Sequence, residues 1–212
     1  MKPQGFVLAG GRAARMGVDK ARLPMKSGVS LAVWMRRALV DVCGSVALIR
    51  RDEQAQNSWL NEQGAIVSVV VESSTNRHPL MGLVTALENS SSPWVGVVPC
   101  DVPLLPPQAM RALWQQRSLK AGGVVAADDE RPHALIGFFH KSVLARVVQA
   151  TKGGWRCDEF AEGLPRVMLP NAWLSNVNEP WQLTSEAGFM TIREERERLK
   201  VWEWVWPQRS TA

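Results

Sequence analysis

Five short apolar runs in the first 127 positions do most to limit what this chain can fold into. "FVLA" (6–9), "VALI" (46–49), "IVSVVV" (66–71), "WVGVV" (94–98) and "GVVAA" (123–127) have strand length and are apolar at nearly every position, not at alternate ones. Strands of that kind bury both faces, as in a parallel sheet covered by helices on each side. The segments between them agree. Residues 31–42, 53–63, 82–90 and 107–117 space their apolar side chains helically, as Leu31, Trp34, Met35, Ala38 and Leu39 do, and Pro107 suits a first helical turn. This alternation predicts a doubly wound α/β domain. After residue 128, "ALIGFF" (134–139) predicts a strand, 142–150 a helix and 166–170 a short strand. The expected fold is one three-layer, Rossmann-like domain, its sheet mostly parallel with a late antiparallel strand.

A chain of 212 residues with 46% hydrophobic and 21% charged residues suits one soluble globular domain. No apolar run reaches the roughly 20 residues that span a bilayer. The N-terminus lacks the long apolar stretch of a secretion signal. Cys43, Cys100 and Cys157 are far apart and odd in number, so neither a disulfide framework nor a zinc site is expected, and a cytoplasmic location is. The net charge of +5 is uneven: eight cations (Lys2, Arg12, Arg15, Lys20, Arg22, Lys26, Arg36, Arg37) face one acid, Asp19, in residues 1–37. So local a patch fits a phosphate ligand better than a nucleic-acid track, and neither nucleic acid nor membrane is an expected partner.

That patch surrounds "LAGGRAARMGVDKARL" (8–23), directly behind the first strand. It lacks the spacing of a Walker A loop and of a dinucleotide fingerprint. Adjacent Gly10 and Gly11 admit the backbone close to a ligand, where their N–H groups can face phosphate oxygens while Arg15 and Lys20 neutralise charge. The stretch lies where open α/β sheets bind ligands, beyond a strand's carboxyl end. Asp101, in "VVPCDVPLLPP" (97–107), follows another such strand, and a carboxylate there can hold Mg²⁺ together with phosphates and water. Asn176 and Asn178, two apart on an extended segment, project to one face.

The 8–23 stretch resembles the signature L-A-G-G-x-x-x-R-M-G-x-D-K-x-x-L of the molybdenum cofactor guanylyltransferases, nucleotidyltransferases of the sugar-phosphate nucleotidyltransferase superfamily. "PCDVP" (99–103) is similar to that family's P-C-D-x-P, "SNVNEP" (175–180) to its N-x-N-T-P, and "HPLMGL" (78–83) to its G-P-L-x-G. The resemblance covers about residues 5–185. It implies a nucleotidyltransferase fold over residues 1–189; residues 190–212 lie outside it, and their tryptophans are expected to pack on the domain or meet a partner. It implies that Leu8, Ala9, Gly10, Gly11, Arg12, Lys20, Arg50, Glu72, Gly82 and Asp101 bind the nucleotide. Asn176 and Asn178 then lie on the acceptor side, Asn178 shares Mg²⁺ with Asp101, and Arg15, Lys20 and Asp101 carry catalysis. Asp19, just before Lys20, is expected to orient that cation or cap the loop.

The implied reaction transfers GMP from GTP to the terminal phosphate of molybdopterin in its molybdenum-bearing form, releasing pyrophosphate. Cofactor-synthesis or molybdoenzyme-maturation proteins are further implied partners. Four positions depart from the family: Arg50 stands where an Asn helps hold the nucleotide, Glu72 where Asp is common, His78 for Gly and Glu179 for Thr. They leave open a CTP-dependent or sugar-phosphate enzyme, or a non-catalytic nucleotide sensor. Glu72 can accept hydrogen bonds from guanine N1–H and N2–H₂, and Gly10-Gly11 favours the guanylyl branch over the cytidylyl one, which reads L-A-A-G.

Overall fold

A computed structural model describes residues 1–10, 19–23, 25, 29–51, 59, 64, 66–72, 74 and 76–177. Seven strands form one sheet: β1 (Gln4–Leu8), β2 (Ser45–Arg51), β3 (Val69–Glu72), β4 (Trp94–Pro99), β5 (Gly123–Ala127), β6 (Pro132–His140) and β7 (Arg166–Met168), in the order β3-β2-β1-β4-β6-β5-β7. β6 is antiparallel to both its neighbours and every other pairing is parallel. The expected late antiparallel strand is therefore β6, inserted between β4 and β5.

Side chains alternate across a pleated strand, so neighbours such as Phe6 and Val7, or Phe138 and Phe139, enter different cores. Val7, Leu48, Val98 and Phe138 face a layer containing α1 (Leu31–Met35), α2 (Arg37–Val40) and α4 (Pro107–Gln115). Phe6, Ile49, Val97 and Phe139 face α3 (Met81–Asn89), α5 (Leu144–Gly153) and α6 (Cys157–Ala161). Both faces are thus covered, which is why the strands read as continuous apolar runs. A last short helix, α7 (Asn171–Leu174), follows β7.

The helix expected over 31–42 is two pieces, α1 and α2, separated by a turn at Arg36. Leu31, Trp34, Met35, Ala38 and Leu39 are nevertheless all buried. The expected helix at 53–63 and the tryptophan-rich extension lie outside the described residues, Trp59 apart. Among the described residues no helix is long and apolar enough to cross a membrane. The three cysteines are free. Burial pushes the Cys43 and Cys100 thiols up to about 12, so neither offers a thiolate near neutral pH.

Candidate active site

β1 lies between β2 and β4, so the chain leaves it towards one side of the sheet and later returns on the other. Such a switch point opens a crevice at the strands' carboxyl ends. Register brings Leu8 opposite both Ile49 and Pro99. Backbone bonds extend the alignment past the strands: Ala9 N–H donates to Ile49 (2.9 Å) and Cys100 N–H to Leu8 (3.0 Å). Ala9, Gly10, Arg50, Cys100 and Asp101 therefore share one edge, although up to 92 positions separate them in sequence.

At that edge Lys20 Nζ donates to Asp101 Oδ2 at 3.1 Å, both side chains partly open to solvent. Asp101 follows β4 in a loop held from both sides. The buried Trp34 Nε1–H of α1 donates to the Pro103 carbonyl at 3.0 Å. Val177 N–H donates to the Asp101 carbonyl at 2.8 Å, so the late "SNVN" segment reaches the same corner, with Asn176 exposed beside the buried Val177. Lys20 belongs to a single 3-10 turn, Lys20–Arg22, capped by Asp19, whose Oδ1 accepts from Ala21 N–H at 3.2 Å.

Asp19 caps the turn, as expected, but its carboxylate faces Arg50 and Arg22, and Lys20 turns to Asp101. Arg50 is wholly buried: Nη1 donates to the Ala9 carbonyl (2.7 Å) and Asp19 Oδ1 (3.2 Å), and Nη2 to Asp19 Oδ2 (2.5 Å). The guanidinium groups of Arg22 and Arg50 lie 4.4 and 4.7 Å from the ring centroid of the buried Trp59. Sequence reasoning placed Arg50 at the nucleotide. Its partner Asp19, 31 residues earlier, gave no local signal.

The other face of the same edge holds a second group. Arg51 and Glu72 are register partners at the ends of β2 and β3, with Nη2 3.4 Å from the buried Glu72 Oε1. A Cβ on Gly10 would come within 3.3 Å of Arg51 Cγ, and one on Gly82 within 3.2 Å of Leu8 Cδ2. Gly82 thus lets α3 approach the last residue of β1. His78 is engaged structurally: its Nδ1 accepts from Leu80 N–H (3.2 Å) and its Nε2 lies 2.7 Å from the Trp155 carbonyl, which makes Nε2 the protonated nitrogen. Further along the edge, between β5 and β6, His133 Nε2 lies 2.7 Å from Asp128 Oδ2. Burial raises the Asp128 pKa, but His133 and the backbone N–H groups of Arg131 and Glu130 outweigh it and hold it at about 2.

Gly11, Arg12, Arg15 and Asn178 lie outside the described residues. The structure brings together Leu8, Ala9, Gly10, Lys20, Arg50, Glu72, Gly82, Asp101 and the Asn176 segment at one edge of the sheet. Asp101 is a hard oxygen donor at a strand end, with the Lys20 ammonium beside it. One carboxylate of this kind fits Mg²⁺, which draws its other ligands from phosphates and water.

A family model for the MobA-like NTP transferase domain matches residues 5–163. A molybdenum cofactor guanylyltransferase of Serratia proteamaculans is 31% identical over 153 residues, 72% of this chain and 75% of that protein. Another, of Yersinia pestis, is 31% identical over 141 residues, 66% of this chain and 69% of its own. Among solved structures, molybdopterin-guanine dinucleotide biosynthesis protein A from Archaeoglobus fulgidus superposes with a TM-score of 0.65 at 17% identity, over 92% of this chain and 99% of that one. The 2-C-methyl-D-erythritol 4-phosphate cytidylyltransferase of Thermus thermophilus gives 0.61 at 17%, over 91% and 100%. Both likenesses concern the fold.

Proposed function

This chain belongs to the MobA-like NTP transferase family and is a nucleotidyltransferase, and on that premise we propose that it transfers GMP from GTP to the terminal phosphate of molybdopterin. The observation that carries the reading is the Lys20–Asp101 pair at the β1/β4 switch point, a cation and a carboxylate brought together from 81 positions apart. Guanylyltransferase relatives at 31% identity support guanine and the molybdopterin acceptor.

In the proposed reaction an oxygen of the acceptor phosphate attacks the α-phosphorus of GTP. The bond to the β-phosphate breaks and pyrophosphate leaves with its electron pair. The acceptor is already anionic near neutral pH, so no general base is required, and catalysis consists of positioning and charge stabilisation. Backbone N–H groups at Gly10 and Gly11, with Arg12, Arg15 and Lys20, hold the triphosphate and the departing pyrophosphate. Lys20 has three donors, so it can turn to phosphate oxygens when they enter. Leu8, Gly82 and Glu72 surround the base, Glu72 accepting from guanine N1–H and N2–H₂, and Asn176 and Asn178 take the acceptor side. Mg²⁺ would be held by Asp101 with Asn178, and when bound it supplies positive charge to phosphate oxygens.

The test is pyrophosphate release with GTP and CTP in parallel, with and without molybdopterin. Turnover with GTP and molybdopterin alone is the expected result. Preference for CTP, or turnover with a sugar phosphate and not molybdopterin, would replace the substrate assignment.

A further inference from the structure

Among the described residues Arg50 heads the fully buried side chains by size, ahead of every phenylalanine and leucine in the two cores. A guanidinium is withdrawn from water at a cost that good geometry and paired charge must offset. Here the geometry is a two-pronged grip on Asp19, with a further bond to the Ala9 carbonyl. Those two partners are the flanks of the glycine-arginine loop: Ala9 precedes Gly10-Gly11, and Asp19 immediately precedes Lys20. Asp19 in turn caps the turn that carries Lys20. One side chain therefore ties the entrance of the loop to its exit.

The face on which Arg50 lies decides what it can touch. Along β2, Leu48 belongs to the core of α1 and α4 and Ile49 to that of α3. By alternation Arg50 follows Leu48, which its stacking against Trp59, a member of the same core, bears out. Arg51, Glu72 and the Leu8–Gly82 contact occupy the opposite face. An arginine at the position of a nucleotide-holding residue is thus turned away from the groups that surround the base.

We propose that Arg50 is a positioning residue, which clamps Ala9 to Asp19 and so fixes Lys20 opposite Asp101 without reading the base. This deepens the reading of the site as a guanylyltransferase centre and rests on it.

The test takes the full chain with Arg50→Met, Arg50→Lys and Asp19→Asn, each checked for native circular dichroism. Amide hydrogen exchange needs no turnover: loss of the clamp speeds exchange at Ala21 by about tenfold or more, through local opening of the turn. In pyrophosphate release, kcat falls roughly 10- to 100-fold, as misplacement of a catalytic cation by about 1 Å does. The GTP-to-CTP ratio of kcat/KM stays within about twofold of the unaltered chain, and combining Asp19→Asn with Arg50→Met costs no more than either alone, because the pair acts as a unit.

Unchanged exchange at Ala21, a shifted GTP-to-CTP ratio, or additive losses would overturn the assignment. So would full recovery of kcat in Arg50→Lys, which keeps the charge but not the fork. Should Arg50→Met not fold, the other two variants carry the same readouts. Absence of turnover in the unaltered chain with either nucleotide would instead count against the guanylyltransferase reading, and the exchange measurement would still decide the clamp.

Discussion

Among the described residues at the ends of β1, β2, β3 and β4, four cations and three carboxylates are folded together: Lys20 on Asp101, Arg22 and Arg50 on Asp19, Arg51 on Glu72. The same edge over β5 and β6 carries the Asp128–His133 pair, above strands so close that a Cβ on Gly137 would lie 2.2 Å from the Val124 carbonyl oxygen. The first region keeps its charges at the cost of desolvating them, and mutual pairing offsets that cost. The second is packed from backbone, aliphatic side chains and aromatic rings. A phosphate needs the first kind of surroundings, since its oxygens must find cations and N–H groups already oriented. It also needs the second, since orientation holds only if the sheet beneath does not give.

Variants can separate the two regions. Largest in effect, Lys20→Ala and Asp101→Ala should each lower turnover by roughly 100-fold or more while leaving the melting temperature nearly unchanged, as steady-state assays and calorimetry would show. Asp101→Ala with normal turnover in saturating Mg²⁺ would remove the metal assignment. Gly137→Ala should do the converse and destabilise the fold by about 2 kcal/mol through overpacking, read from urea unfolding, with KM for GTP held. Trp34→Phe takes the Nε1–H donor from the Pro103 carbonyl and should cost about 1 kcal/mol of stability. Trp34 holds the loop that carries Asp101, so a modest fall in kcat should accompany it.

The smallest expected effect is at Asp128. Its folded pKa of about 2 lies below the roughly 3.9 of an unfolded aspartate, so the ionised carboxylate favours the native state above about pH 4. That contribution is lost as pH falls from about 4 towards 2. Melting temperatures measured across this window should therefore drop less steeply in Asp128→Asn than in the unaltered chain. Equal slopes would show that the pair does not couple to folding.

Much of this was legible in the chain. Runs apolar on both faces announced a parallel sheet with a late antiparallel strand, but not which of the two strands after residue 128 it would be. Lys20 and Asp101 stood out because each followed a predicted strand, and two strand ends in one parallel sheet lie on one edge. Arg50 was harder to read. Its place at a strand end suggested a ligand contact, and only the fold shows that Asp19 is within its reach and that pleating turns it from Glu72. The helices α6 and α7 escaped notice because one turn or so carries no periodicity, and the interruption at Arg36 left the apolar spacing of 31–39 intact.

The bond from Val177 N–H to the Asp101 carbonyl joins the loop after β4 to the segment that follows α7. Among the described residues every strand of the sheet ends by Met168, and the core beside α1 and α4 is then finished by Leu169 and Leu174, which lead straight into the segment that buttresses Asp101. The last described residue thus bears on the loop that holds Asp101. Packing of the core and buttressing of Asp101 are completed by one short stretch of chain, residues 169–177.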